Sequence, residues 1–251
     1  MPVALLAGLW GLVAGAALVL GALIGWFVDV PRRVVAAIMA FGSGVLISAL
    51  SFDLMDEAYT LAGFGPTGIG FVCGIVAYTG ANIAVSRRGG KHRKASKGSQ
   101  ASEGEVSGSG LALAIGALLD GIPESMVIGV SLVGGHSVSL VAVIAVFLSN
   151  MPEGLSSSVG MKRAGRSAAY VFGVWGSIAL ISGLAALIGY VVFRNGSPVA
   201  VAATSAVAAG AILAMVVDTM VPESFAEEHE LTGLVAGLGF LTAFALSRWT
   251  R

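Results

Sequence analysis

The chain has a single cysteine, Cys73, set in an apolar stretch, so neither a disulfide framework nor a cysteine-based metal cluster is open to it. Charge is scarce too: 11% of residues are Asp, Glu, Lys or Arg, and the formal net charge is zero. That balance removes the basic field a nucleic-acid partner requires. There are only three histidines. His92 and His136 fall in polar connections where solvation is the ordinary state, and the third belongs to "EEHE", 227–230, which reads as a solvated acidic turn. No Ser-His-Asp set, Walker loop or dinucleotide fingerprint occurs, so nothing supports catalysis and the chain is not read as an enzyme. The most telling absence is positional. Every Lys and Arg lies between apolar runs or at their ends, and none lies inside one.

What the chain has instead is apolar length. Hydrophobic residues make up 56% of it and the mean hydropathy is +0.91, values of an integral membrane protein. Runs near twenty residues suffice for a helix to cross roughly 30 Å of hydrocarbon. Eight such spans are predicted, at 4–27, 34–57, 66–86, 109–133, 137–161, 168–193, 198–222 and 231–247. The expected fold is all-α, a single polytopic bundle of eight transmembrane helices. The first run has no basic residue before it and exceeds a signal-peptide core, so it reads as a retained helix. Glycines at four-residue spacing, such as Gly11 with Gly15 and Gly21 with Gly25, suit close helix approach in lipid. The one long connection, 87–108, is rich in Gly, Ser and Lys and reads as a flexible loop.

Eight spans put both termini on one side. The connections on the other side hold Arg32, Arg33, Arg87, Arg88, Lys91, Arg93, Lys94, Lys97, Lys162, Arg163 and Arg166, against Arg194, Arg248 and Arg251 on the terminal side. The positive-inside rule then places the long loop in the cytoplasm and both termini outside, most naturally in a plasma (inner) membrane. Two internal similarities accompany this topology. "GIPES" at 121–125 aligns with "NMPEG" at 150–154, and "GVLISALSFDLMDEAY" from Gly44 aligns with "GAILAMVVDTMVPESF" from Gly210, bringing Glu57 onto Glu223. The members of each pair cross in opposite senses, the pattern of inverted internal repeats with a site near the midplane.

The acids do not follow the bases. Asp120, Glu124 and Glu153 lie within spans, and Asp53, Asp56, Glu57, Asp218 and Glu223 lie within or near the ends of two others. A charge at that depth costs at least a few kcal/mol and therefore faces a cavity and a partner. With no Lys or Arg expected there, the partner is a proton or a bound cation. Spacing favours a cation: Asp120 and Glu124 share one helix face at i and i+4, as do Asp53 and Glu57. Pro123 and Pro152 lack an N–H, which frees the carbonyls of Leu119 and Leu148 beside the carboxylates. Asn150 and Ser149, three and four positions before Glu153, add neutral oxygens. The candidate metal ligands are therefore Asp120, Glu124, Asn150, Glu153, Asp53, Glu57 and Ser149, an oxygen set suited to hard or borderline dications. Ser156, Ser157 and Ser158 either line a path or bond back to their helix.

With these motifs in place the chain resembles the ZIP family of divalent-metal transporters. The resemblance rests on eight spans, outward termini, the long loop after span 3, and "DGIPES" and "SNMPEG" standing where family members carry H-N-x-P-E-G and a related Pro-Glu motif. It implies a binuclear site of Asp120, Glu124, Asn150 and Glu153, with both glutamates able to bridge, together with a homodimer and an elevator-like motion. Three departures stand out: Gly121 replaces the usual Asn, Asp120 and Ser149 replace the usual histidines, and span 6 carries no carboxylate. An oxygen-only set shifts preference from Zn²⁺ toward Mn²⁺ or Mg²⁺, with Fe²⁺ also compatible. The expected function is transport of a divalent metal (Zn, Mn, Fe or similar) across the bilayer into the cytoplasm. The metal is the cargo and needs no organic cofactor. The alternatives are a proton or organic-cation transporter, or a non-transporting membrane protein of the same fold.

Overall fold

In lipid a backbone can satisfy its own polar groups only as helix or closed barrel, and the apolar runs here take the first course. The computed structural model describes residues 1–95, 100, 106, 109–133, 139–225 and 230–249, and no strand occurs among them. Eight helices follow one another: α1 Val3–Phe27, α2 Arg32–Ala62, α3 Phe64–Gly90, α4 Ser109–Val130, α5 Leu140–Arg163, α6 Ala168–Phe193, α7 Pro198–Ser224 and α8 Thr232–Trp249. All but α5 are long and apolar enough, by length and composition, to cross a membrane. At 24 residues α5 is about 36 Å long, comparable to the others. The protein is thus an all-α polytopic membrane bundle. The helices overrun several expected boundaries: α2 continues to Ala62 and α3 begins at Phe64, two residues on. The one-residue corner is possible because Gly63 takes φ 73 and ψ −176, a conformation that a Cβ would strain. Ser139, Ser167 and Ser197 cap α5, α6 and α7, each Oγ accepting from the N–H three residues on.

The helices pack in matched pairs. Gly44 brings α2 against α8 and Gly210 brings α7 against α3, and at each a Cβ would run into a carbonyl, that of Ala236 or Phe71. Gly154 seats α5 on α1 beneath the Leu18 carbonyl, and Gly129 seats α4 on α6 beneath that of Ala186. The pairing α2 with α8 and α7 with α3, α1 with α5 and α6 with α4, is what two inverted repeats produce. A backbone irregularity obeys the same relation. α2 opens into a π-helical turn at Leu50–Met55 and α7 at Val216–Met220, and superposing Gly44 on Gly210 superposes Leu50 on Val216. Such turns interrupt the regular ladder and mark functional positions in helices. Asp53 and Asp218 lie in these two turns.

Short connections at 28–31, 63, 164–167 and 194–197 make consecutive helices antiparallel. One end of the bundle therefore carries both termini and the other carries the long connection after α3; they are called here the terminal end and the loop end. Lys97 and half of the loop expected over 87–108 lie outside the described residues, as do His136 and residues 227–229 of the acidic turn.

Candidate cation site

Asp120 and Glu124 stand one turn apart on α4, which passes through Pro123 as continuous helix, and Glu153 stands on α5 just after Pro152. All three carboxylates are buried. The expectation that no base reaches their depth is wrong. After α3 the chain turns back at 91–95 and inserts Arg93 and Lys94 into the bundle, each 2% exposed. Arg93 Nε donates to Asp120 Oδ2 at 2.8 Å and Nη2 to Oδ1 at 2.9 Å, the fork geometry that binds carboxylates best. Tyr78 Oη donates to Asp120 Oδ1 at 2.6 Å and accepts from Arg93 Nη2 at 2.7 Å, while Arg93 Nη1 donates to Asn82 Oδ1 at 2.8 Å. Lys94 Nζ lies 2.9 Å from Glu153 Oε2 and 3.4 Å from Asp120 Oδ2.

The segment is built in rather than resting against the surface. Ser157 Oγ donates to the Arg93 carbonyl and Ser156 Oγ to that of Lys94, while Gln100 Nε2 donates to the carbonyls of Arg93, Ala95 and Ser157. Ser158 bonds back to the Leu155 carbonyl. Gly160 leaves the room, since a Cβ there would strike the Ala95 carbonyl and Gln100. Burial is the largest influence on Arg93 and works against its charged form, but Asp120, Tyr78 and Glu153 together hold the guanidinium above its ordinary pKa. Burial likewise opposes the charge on Lys94, and Asp120 and Glu153 together hold it above the usual lysine value.

Glu124 is different. It is 1% exposed, neither carboxylate oxygen has a hydrogen-bond partner, and it lies within electrostatic reach of Glu153 and Asp120. It borders a hollow of about 20 Å³ otherwise walled by apolar side chains such as Leu46, Leu50, Val127 and Ile212, with Asp53 the one other acid. A space of that size admits roughly one water-sized occupant. Asp53, Leu54, Val127 and Ala142 also line a cavity of about 220 Å³ at the terminal end, with Glu57 and Arg194. At the loop end a cavity of about 510 Å³ is lined by Asn82, Lys91, His92, Lys94, Asp218 and Glu223. Two vestibules thus flank the carboxylates from opposite ends, one sharing wall residues with the hollow at Glu124 and the other lined by Lys94.

The remaining candidates are placed as follows. Asp53 Oδ1 accepts from Ser247 Oγ of α8 at 2.6 Å, and Glu57 stands farther out in the same vestibule. Asn150 spends its amide on the Ala14 carbonyl of α1 at 3.0 Å, and Ser149 donates to Val146 of its own helix. Asp218 Oδ2 accepts from Asn82 Nδ2 at 3.2 Å, and Glu223 Oε1 lies 3.4 Å from Ser156 Oγ, whose proton goes to the Lys94 carbonyl. Among the described residues no three His, Cys, Asp or Glu side chains converge as a ready metal cage. The residues that sequence reasoning missed are Tyr78, Asn82, Arg93 and Lys94. The visible signals were the i, i+4 spacing of Tyr78 and Asn82 and the serine run opposite the basic loop. Neither a protein-family model nor a curated protein matches the chain.

Proposed function

We propose that the protein is a secondary transporter that moves a divalent cation through the carboxylates between the two vestibules. The observation that carries this reading is Glu124. A fully buried carboxylate with neither oxygen hydrogen-bonded is costly in a bilayer protein, and this one borders a hollow that shares Asp53, Leu54, Val127 and Ala142 with an acidic vestibule. In this reading Asp53 and Glu57 draw a cation toward the neck. Glu124 and Glu153 replace part of its water shell, and the symmetric pairs of helices supply the two ends of an alternating-access cycle. The oxygen-rich surroundings favour Mn²⁺, with Fe²⁺ and Zn²⁺ as competitors. The distribution of bases favours a cytoplasmic loop end, which in this reading gives uptake from terminal end to loop end.

The test is flux. Mn²⁺ uptake into proteoliposomes should occur with wild type and fall to the protein-free rate with both Glu124→Gln and Glu153→Gln. Uptake that survives both substitutions would remove the carboxylates from the pathway. A second reading, an organic cation as cargo, draws on the fact that Asp120 and Glu153 already hold a guanidinium and an ammonium. It predicts flux of guanidine or a small diamine that Mn²⁺ does not inhibit.

A further inference from the structure

Arg93 and Lys94 are neighbours in sequence, yet they are held in different ways. Each nitrogen of the Arg93 guanidinium is directed at oxygen: Nε at Asp120, Nη1 at Asn82 and the Gly90 carbonyl, Nη2 at Tyr78 and Asp120. Gly116 is its floor, where a Cβ would come within 2.5 Å of Arg93 Cδ. Lys94 has no such cradle. Its Nζ meets only carboxylates, Glu153 Oε2 at 2.9 Å and Asp120 Oδ2 at 3.4 Å, among the described residues. It also borders the loop-end cavity, and an ammonium on a flexible four-carbon stem can turn into that space while its backbone stays pinned by Ser156.

In the same cluster stands Glu124, in electrostatic reach of Glu153 and Lys94 and with neither oxygen hydrogen-bonded. A cation arriving from the terminal-end vestibule passes Asp53 to reach Glu124, and beyond it in the cluster lies Glu153, the carboxylate that Lys94 holds. We propose that Lys94 is the counter-ion that the cargo displaces. Its ammonium occupies the cargo's place on Glu153, and when the cargo takes that carboxylate the side chain swings into the loop-end vestibule. The inference rests on the transport reading above and sharpens it. Cargo ligation falls to Glu124 and Glu153, while Asp120, clamped by Arg93 and Tyr78, is scaffold. The same swing clears the side chain that stands between the carboxylates and the loop end, so loading from one end opens the way to the other.

Two measurements on the purified protein test this. Amine acylation followed by mass spectrometry reads whether Lys94 is covered, with exposed Lys91 as the internal reference. Without metal Lys94 should be protected relative to Lys91, and saturating Mn²⁺ should speed its acylation at least about tenfold. By calorimetry Lys94→Gln should bind Mn²⁺ at least about tenfold more tightly than wild type, since a like charge a few ångströms from the ion has been removed. Mn²⁺ binding to wild type with Lys94 still protected, and with Lys94→Gln no tighter, overturns the inference and leaves the transport reading standing. Absence of Mn²⁺ binding by both proteins overturns the two together.

Discussion

Around the guanidinium of Arg93 stand Tyr78, Asn82 and Asp120, and the energetics of this group differ from those of a surface ion pair. Removing one partner of a buried pair strands the other, at about 3–5 kcal/mol. Arg93→Met should therefore lower the melting temperature in detergent sharply by leaving Asp120 without its fork. Tyr78→Phe removes one hydroxyl from the same carboxylate and should cost about 1–3 kcal/mol, the range for a buried acceptor losing a donor. Equal melting temperatures for Arg93→Met and wild type would mean that the segment does not dock. Lys94 carries a pH signature of definite sign. Its pKa is raised in the folded protein, so its contribution is complete below the ordinary lysine pKa near 10.4 and is lost as pH rises through the folded value. The difference in melting temperature between wild type and Lys94→Gln should narrow in strong alkali, as pH passes the folded value.

At the scale of elements, α5 does two jobs with small residues. Gly154 admits the Leu18 carbonyl of α1, and Gly160, less than two turns on, admits the returning loop. Gly160→Val fills the second space without touching a carboxylate. It should expel residues 91–95, and trypsin should then cut after Arg93 and Lys94 several-fold faster than in wild type; unchanged cutting would show that the bundle can absorb the added methyls. The helices themselves were legible, because lipid leaves an apolar run of twenty residues one conformation, and the spans expected at 168–193 and 198–222 match α6 and α7 closely. The repeat was legible from Gly44 and Gly210 because each must clear a neighbouring carbonyl. The insertion of Arg93 was not. A Gly-, Ser- and Lys-rich connection has the composition of a solvated loop, and its burial becomes favourable through partners that packing brings together, Asp120, Tyr78 and Asn82 from α3 and α4 and Glu153, Ser156 and Ser157 from α5. The acids at 120, 124 and 153 could be read as needing partners, but which partners each had depended on that fold-back.

For the whole molecule, the consequence is a bundle with an opening at either end and a cationic wall between them. Ser205 lines the terminal-end vestibule and Ser86 the loop-end one. In a Cys73→Ala background, Ser205→Cys should react with a membrane-impermeant thiol reagent added on the terminal side alone, and Ser86→Cys with the reagent on the loop side alone. Reaction of either from both sides would contradict two separate vestibules. The charge balance of the centre makes the same point. Asp120 is answered by Arg93 and Glu153 by Lys94, which leaves Glu124 as the carboxylate still to be answered.

That residue gives the most direct test of the account. Titrating the purified protein with Mn²⁺ and following the free-ion signal by electron paramagnetic resonance reads binding without any assumption about transport. Wild type should show saturable binding that Glu124→Gln weakens at least about tenfold, as loss of a buried charged ligand requires. Equal binding curves for the two proteins would contradict the account.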